Sequence, residues 1–426
     1  MANKNPLIFR IFSSFISVGQ LTICLDDGRK LIAKGQEDGP KVVFSLPDTR
    51  PLYHFVRQAD LAIPEAYMSG KLVLIDTSLD DFMIFLFLNK QAFYRTKLQY
   101  FLRFFGAIAM WCKGQIRHKA AKANVAHHYD LTDYLYDSFL DDKRQYSCAY
   151  FEKPDDSLEQ AQLQKIARLA AKLRLRPHHK ILDIGCGWGE LAYSLATLED
   201  DLLVKGITLS ENQSAYAKDL ARKRKCQSSL SFALQDYRDE TGTYDHVVSV
   251  GMLEHVGYQS YQTYFNTVSR ALKPTGTAVI HTIGKQYMTH SRAPFIQKYI
   301  FPGGYIPALS ELTKAIEKTD LHILDIEAMH IHYAETLRHW RQRFIAKQDD
   351  IIALYDERFF RMWCFYLVSC EYFFRLDGGV VYQIQLAKSQ GDSPSERSYI
   401  KDKEQDYLKK LCQISTHSGK LKSSVK

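Results

Sequence analysis

The chain has 426 residues, which is long enough for two or more domains. Its composition, 46% hydrophobic and 24% charged, is typical of a globular protein. Its eight cysteines include no C-x-x-C pair, which argues against a zinc cluster or a disulfide framework and indicates a reducing compartment. The net charge of +8 favours an anionic partner, and nucleic acid and an acidic lipid surface both meet that description.

The sequence contains no segment long enough to cross a bilayer. The longest apolar run, 104–112, has nine residues, where about 20 are needed. The N-terminal stretch has Arg10 inside its apolar run and no small-residue cleavage site, so no signal peptide is predicted. We therefore expect a soluble or peripheral protein.

Residues 1–115 predict a small α+β domain. Strands at 21–25 and 30–34 flank an Asp-Asp-Gly turn, which indicates a hairpin. The other predicted elements of this domain are a strand at 41–46, a helix at 52–62 and a strand at 70–76.

Residues 94–119 are aromatic and basic, reading YRTKLQYFLRFFGAIAMWCKGQIRHK. Such a helix can lie in a membrane interface, with its apolar face among acyl chains and its cations at the headgroups. It can equally be an interdomain helix packed on protein, and both interpretations stay open.

A helix is predicted at 157–175, where Ser157 and Gln160 form a capping box ahead of an apolar stripe. Pro177 ends this helix. Its basic residues predict a solvated face, with a membrane-facing role as the alternative, and they are Lys165, Arg168, Lys172, Arg174 and Arg176.

The stretch KILDIGCGWG, 180–189, predicts a buried strand and a tight glycine turn into a helix. Its G-x-G-x-G spacing differs from the dinucleotide pattern and suits a nucleoside without a pyrophosphate, such as S-adenosylmethionine. Strands alternate with helices after it, at 202–208, 229–234, 246–250 and 277–283. This order predicts an α/β fold with a doubly wound parallel sheet, whose ligands bind at the carboxyl ends of the strands.

The polar residues 389–426 predict a solvated C-terminal tail, with a short amphipathic helix at 399–411. The lysines of this tail are also suited to an anionic surface.

Ten ordered motifs resemble the cyclopropane-fatty-acid synthase family of S-adenosylmethionine-dependent methyltransferases, which includes the mycolic-acid cyclopropane synthases. They are HHYDLTDYLY, YSCAYF, LDIGCGWG, GITLSENQ, QDYR, SVGMLEHVG, HTIG, YIFPGGYIP, HYAETL and RFFRMW. The resemblance implies a Rossmann-like catalytic domain at 116–388. Residues 1–115 resemble the extra domain of the branch that acts on phospholipids.

The resemblance implies that a cis double bond of a phospholipid acyl chain attacks the methyl group of S-adenosylmethionine. The resulting carbocation loses a proton, and the cyclopropane ring closes. The resemblance also implies that a bound bicarbonate accepts this proton, held by Cys148, Glu254, His281, Ile283 and Tyr333. The alternative that Glu254 itself accepts the proton stays open. Cys370 is a further candidate, although its apolar surroundings favour a structural role.

The cofactor residues implied by the resemblance surround the glycine turn and the following strand ends. They are Tyr146, Ser147, Asp183, Gly185, Cys186, Gly187, Gly189, Thr208, Leu209, Ser210, Gln213, Gln235, Asp236 and Tyr237. The second strand ends in Thr208 where methyltransferases usually have an acidic residue for the ribose, so we expect Gln213 to serve there.

The expected partners are unsaturated phospholipid, an anionic membrane surface at the inner face of the membrane and, by resemblance, a second copy of the chain. No metal and no nucleic acid are predicted, since no nucleic-acid-binding motif is present. Two rival interpretations remain: a relative that methylates the acyl chain without ring closure, and a catalytically inactive lipid-binding protein.

Overall fold

A computed structural model of the chain describes residues 6–94, 132–287, 293–389 and 396–423. The predicted aromatic and basic helix lies outside these residues apart from its first position, and so does the predicted domain boundary at 115. The described residues form two compact units, 1–117 with 290–302 and 337–378, and 118–289 with 303–336 and 379–426. Because packing units need not coincide with contiguous domains, the predicted ranges 1–115, 116–388 and 389–426 stay a prediction.

The first unit contains a four-stranded sheet in the order β2-β1-β3-β4. The predicted hairpin is present, since β1 and β2 pair antiparallel, whereas β1 and β3 pair parallel. Buried residues alternate along β1 and β2, as expected of strands with one face on a core. The elements of this unit are α1 (Leu7–Ser13), β1 (Val18–Leu25), β2 (Lys30–Lys34), β3 (Glu37–Leu46), α2 (Arg50–Met68), β4 (Val73–Leu74) and α3 (Leu79–Tyr94).

From residue 132 onward, where the structure describes it, the second unit has two helices followed by the predicted alternation of strands and helices. Its described elements through β9 are α4 (Asp133–Phe139), α5 (Leu158–Leu173), β5 (Lys180–Ile184), α6 (Glu190–Ala196), β6 (Leu203–Thr208), α7 (Glu211–Lys223), β7 (Leu230–Leu234), β8 (Tyr244–Val250), α8 (Tyr261–Ala271) and β9 (Leu272–Lys285). The remaining elements of the chain are α9 (Pro294–Tyr299), α10 (Leu309–Ile316), β10 (His322–Met329), α11 (Ile331–Ile345), α12 (Gln348–Leu354), α13 (Glu357–Leu376), β11 (Gly379–Ala387) and α14 (Ser398–Ser423).

The large sheet has the order β10-β11-β9-β8-β5-β6-β7. Strands β5 to β9 pair parallel, as predicted. The sequence analysis missed β10 and β11, and β11 pairs antiparallel with both of its neighbours, so the sheet is mixed rather than purely parallel. The strand order reverses between β5 and β8, which places the glycine turn after β5 at the topological switch point.

The C-terminal residues are less solvated than predicted. Helix α14 packs on α5, and Ile400, Tyr407 and Leu411 are buried against the core of the sheet. These residues are seven and four positions apart, so they share one face of the helix. The Tyr407 hydroxyl also donates to Glu199 at 2.9 Å.

Candidate functional site

The glycine turn that follows β5 is held against β6. The backbone N–H groups of Gly185 and Cys186 both donate to the carbonyl of Ile207, at 2.9 and 3.0 Å. Gly185, Gly187 and Gly189 all have positive φ, which favours glycine. A Cβ at Gly187 would have no atom within 4 Å, so a ligand can approach the backbone there.

Asp183 lies in β5 just before this turn, and its carboxylate has no hydrogen-bond partner in the described residues. Both oxygens are buried, and desolvation raises the pKa of Asp183 to about 7 although the positive charge of Lys165 opposes the shift. A buried acceptor without a partner is costly, which suits a site completed by the donors of a bound molecule. The open glycine backbone and this carboxylate fit an amino-acid-bearing nucleoside such as S-adenosylmethionine.

The end of β6 presents amide and hydroxyl groups in place of a carboxylate. The Thr208 hydroxyl donates to the side-chain oxygen of Gln213 at 3.0 Å and accepts from the backbone N–H of Ser210. Ser210 also caps α7 by accepting from the backbone N–H of Gln213. Leu209 between them is half-buried. The side-chain oxygen of Gln213 is thus engaged with Thr208, and ribose binding by its amide N–H groups stays a prediction.

The polar residues after β7 are occupied by local contacts. Gln235 donates to Glu240 at 3.0 Å, and the Asp236 carboxylate accepts two bonds from the guanidinium of Arg238 at 2.6 and 2.8 Å. Burial raises the pKa of the neighbouring Tyr237 hydroxyl to about 12, so this side chain is neutral. Cofactor binding by these residues stays a prediction.

The loop that carries Tyr146 and Ser147 is attached to α5 by two buried side chains. The Gln162 amide donates to the carbonyl oxygens of Gln145 and Ser147, at 3.2 and 3.0 Å. The Lys165 ammonium donates to the side-chain oxygens of the same two residues, at 2.7 and 2.8 Å. The ring of Tyr146 packs edge-on against aromatic residues of α4.

Lys165 and Lys172 therefore overturn the prediction that the cations of α5 form a solvated face. Both side chains are fully buried, and burial lowers the pKa of each to about 8. The sequence spacing indicates this burial, since Lys165 and Lys172 follow Leu158 by seven and fourteen positions and share its apolar face. Arg168 is also largely buried, in an ion pair with Glu327.

Lys165 is the functional candidate that the sequence analysis missed. Its positive charge acts on Cys148, on Asp183 and on His281, three residues predicted from different motifs. These three predicted site residues thus lie within electrostatic range of one buried cation.

The predicted bicarbonate residues include one direct pair. The Ile283 backbone N–H donates to one carboxylate oxygen of Glu254 at 2.6 Å, so this N–H group is already engaged. The other Glu254 oxygen is buried without a hydrogen-bond partner in the described residues, and desolvation raises the pKa of Glu254 to about 7. Burial raises the pKa of the Cys148 thiol well above its usual range, so this thiol is a donor rather than a nucleophile.

His281 lies on β9 and is buried, with Nδ1 3.2 Å from the side-chain amide nitrogen of Gln383 on β11. Tyr333 is buried in the first turn of α11, and this helix is joined to the Cys148 loop because the Ala149 N–H donates to the Thr336 hydroxyl at 3.0 Å. The Cys148 thiol donates to the carbonyl of Ala149 at 3.2 Å, so it is already engaged. The buried unpaired oxygen of Glu254 is an acceptor that suits a small anion carrying one hydroxyl group.

Cys370 belongs to the other packing unit, on α13. Burial raises the pKa of its thiol to about 12, which agrees with a structural cysteine.

Comparison with known proteins adds independent information. The family described as mycolic acid cyclopropane synthetase matches residues 116–384, more than half of the chain. The cyclopropane-fatty-acyl-phospholipid synthase of Escherichia coli (strain K12) is 40% identical over 264 residues, which are 61% of this chain and 66% of that protein. The chain thus spans slightly less than two thirds of that relative.

Two further similarities agree with this family assignment. A probable fatty acid methyltransferase of Pseudomonas putida is 34% identical over 65% of this chain and 72% of its own. The mycolic acid cyclopropane synthase CmaA1, crystallised with SAH and CTAB, is 31% identical, has a TM-score of 0.60, and covers 64% of this chain and 99% of its own. The predicted family and the methyltransferase fold are confirmed.

The raised pKa of Asp183 predicts how stability depends on pH. Between the ordinary pKa of 3.8 and about 7, the folded protein holds one proton more than the unfolded chain, so stability falls as pH rises. One such group contributes up to about 1.4 kcal/mol per pH unit. We expect Asp183→Asn to flatten the pH dependence of the free energy of unfolding between pH 5 and 6.5, measured by urea denaturation.

The matched control is Asp219→Asn on α7, because the ion-paired Asp219 has a lowered pKa and does not titrate in this range. An unchanged slope in Asp183→Asn would show that this carboxylate is ionised in the folded protein.

Proposed function

Because the chain belongs to the mycolic acid cyclopropane synthetase family, we propose that it transfers a methylene group from S-adenosylmethionine to unsaturated phospholipid acyl chains. The product is a cyclopropane fatty acid within the lipid. The observation that carries this proposal is a pair of buried carboxylates at neighbouring strand ends: Asp183 has both oxygens, and Glu254 one oxygen, without a hydrogen-bond partner in the described residues. Similarity to the E. coli synthase supports the lipid substrate.

The cofactor, when bound, supplies an activated methyl group to the alkene. Asp183 accepts hydrogen bonds from its donors, Gly187 permits close approach of the backbone, and Gln213 donates to the ribose. The loop of Tyr146 and Ser147 closes this region and is held in place by α5. Fixed groups of this kind avoid reorganisation when charge moves in the reaction.

The proton acceptor is a bound bicarbonate in this proposal. Glu254 accepts a hydrogen bond from the hydroxyl of the anion, while His281 and Tyr333 donate to its oxygens. Cys148 donates as well once its thiol exchanges the Ala149 carbonyl, 3.2 Å away, for the anion. Since Ile283 donates its N–H to Glu254, its part is to orient that carboxylate. Glu254 itself remains an alternative base, because a pKa of about 7 suits proton transfer near neutral pH.

A second candidate reaction is methyl addition without ring closure. It is supported by the similarity to the probable fatty acid methyltransferase of Pseudomonas putida. Both reactions add one CH2 to the chain once the proton is lost. The products differ because the branched chain keeps a double bond that can be hydrogenated, whereas the cyclopropane chain does not.

The proposed place of action is the inner face of the membrane. Within the described residues, no helix combines the length and apolar character required to span a bilayer. The net charge of +8 supports attraction to anionic lipid. A homodimer and the absence of nucleic-acid binding stay predictions from the sequence.

Methyl transfer is tested with purified protein, labelled S-adenosylmethionine and vesicles of unsaturated phospholipid, with and without bicarbonate. We expect label in the lipid fraction, one added CH2 by mass spectrometry, and a slower rate without bicarbonate. We expect Glu254→Gln to lower the rate by about 100-fold or more, because it removes the acceptor that orients the base. The matched control, Glu317→Gln on the exposed surface, should keep the wild-type rate.

The absence of label from the lipid would contradict the proposal. A wild-type rate in Glu254→Gln would contradict the assigned proton-acceptor site but not the methyl transfer.

Membrane attachment is tested by sedimentation with vesicles of anionic lipid at increasing salt. Each Lys or Arg near such a surface contributes about 1 kcal/mol, and this attraction is screened by ions. We therefore expect the bound fraction to fall as salt rises, and to be low on neutral vesicles. Binding that is independent of salt would contradict an electrostatic attachment.

A further inference from the structure

His281 faces a glutamine across two paired strands. His281 on β9 and Gln383 on β11 are directly opposite in the antiparallel register, so both side chains lie on the same face of the sheet. The Gln383 amide nitrogen is 3.2 Å from His281 Nδ1, and both residues are buried. Whether Nδ1 of His281 carries a proton therefore depends on whether the amide oxygen or the NH2 group of Gln383 faces it.

Lys172 fixes the orientation of that amide. Its ammonium lies 2.8 Å from the side-chain oxygen of Gln383, and an ammonium group has only donors. The amide oxygen therefore faces Lys172, and the NH2 group faces His281. Since an NH2 group only donates, His281 Nδ1 must accept, and the ring proton must lie on Nε2.

The charge of Lys172 is itself maintained by an ion-pair network. Glu327 accepts from Lys172 at 2.5 Å and from Arg168 at 2.6 and 2.8 Å, and Arg168 also pairs with Glu404 at 2.7 Å. Burial lowers the pKa of Lys172 to about 8, so this lysine still carries its proton at neutral pH. The donor to Gln383 is thus present under ordinary conditions.

We propose that Lys172 and Gln383 are positioning residues that hold His281 as the neutral Nε2–H tautomer. This inference rests on the proposed function, in which Nε2–H donates to the bound anion. Burial and the nearby cations Lys165 and Lys172 lower the pKa of His281 to about 3, which agrees with a neutral ring. The opposite tautomer would direct a lone pair at the anion and repel it.

The tautomer is measured by NMR of the full-length protein with 15N-labelled histidine, because protonated and unprotonated ring nitrogens have distinct shifts. The signals of His281 are assigned by their loss in His281→Asn. We expect wild-type His281 to be protonated on Nε2 only, between pH 6 and 8. Protonation on Nδ1 in the wild type would overturn the inference.

Gln383→Glu is the decisive variant. A carboxylate at this position keeps the contact with Lys172 but can only accept from the imidazole, so Nδ1 must gain a proton. We expect the His281 signals to change to a protonated Nδ1, and the kcat of methyl transfer to fall while the KM for S-adenosylmethionine stays within about twofold. An unprotonated Nδ1 in this folded variant would overturn the inference.

Lys172→Met tests whether the contact between Lys172 and Gln383 determines the tautomer of His281, with Arg168→Met as its matched control. Both changes remove a cation from the same helix and the same Glu327 network, but only Lys172 contacts Gln383. We expect mixed tautomers of His281 in Lys172→Met and the wild-type tautomer in Arg168→Met. The same tautomer in both variants would overturn the role of Lys172.

The experiments distinguish a failure of the tautomer inference from a failure of the proposed methyl transfer. If the tautomers behave as expected while wild-type protein transfers no label to lipid, the inference stands and the proposed function fails. If label is transferred while wild-type His281 is protonated on Nδ1, the proposed function stands and the inference fails.

Discussion

Burial of two ammonium groups on α5 is the constraint on which the site depends. Lys165 and Lys172 are fully buried, and a buried charge is tolerated only when its donors are satisfied. Lys165 satisfies its donors with the loop of Gln145 and Ser147, and Lys172 with Glu327 and Gln383. One helix thereby fixes a loop expected to contact the cofactor and the strand β11, whose Gln383 lies directly opposite His281. The cost of burying these cations is offset only if the loop and the strand occupy these positions.

The site combines satisfied cations with unsatisfied anions. Asp183 and Glu254 each have at least one buried carboxylate oxygen without a hydrogen-bond partner in the described residues, and both pKa values rise to about 7. Such groups lower the stability of the free protein and gain partners when ligands bind. The arrangement therefore favours binding of a molecule rich in donors, which is the property required of a cofactor pocket.

Patterns local in sequence predicted most of the fold. The strand and glycine turn around Asp183, the N-cap of α5 at Ser157 and the alternation up to β9 were all correctly predicted, whereas only one of the two bonds of the predicted capping box is present. Strands β10 and β11 were missed because β11 pairs antiparallel, outside the repeat of strand and helix that supported the prediction. The roles of Lys165 and Lys172 were missed because their partners are distant in sequence, up to 211 positions for Gln383. Only tertiary contacts distinguish a buried lysine from a solvated one on the same helix.

The most direct test of this account is the affinity of Lys165→Met for SAH, measured by calorimetry at neutral pH against the exposed control Lys218→Met. Methionine keeps the length of the side chain but removes two hydrogen bonds from a charged donor, each worth about 1.5–3 kcal/mol. The account predicts binding weakened by about tenfold or more in Lys165→Met, and wild-type affinity in the control. Wild-type affinity in a folded Lys165→Met would contradict the claim that this buried cation organises the site.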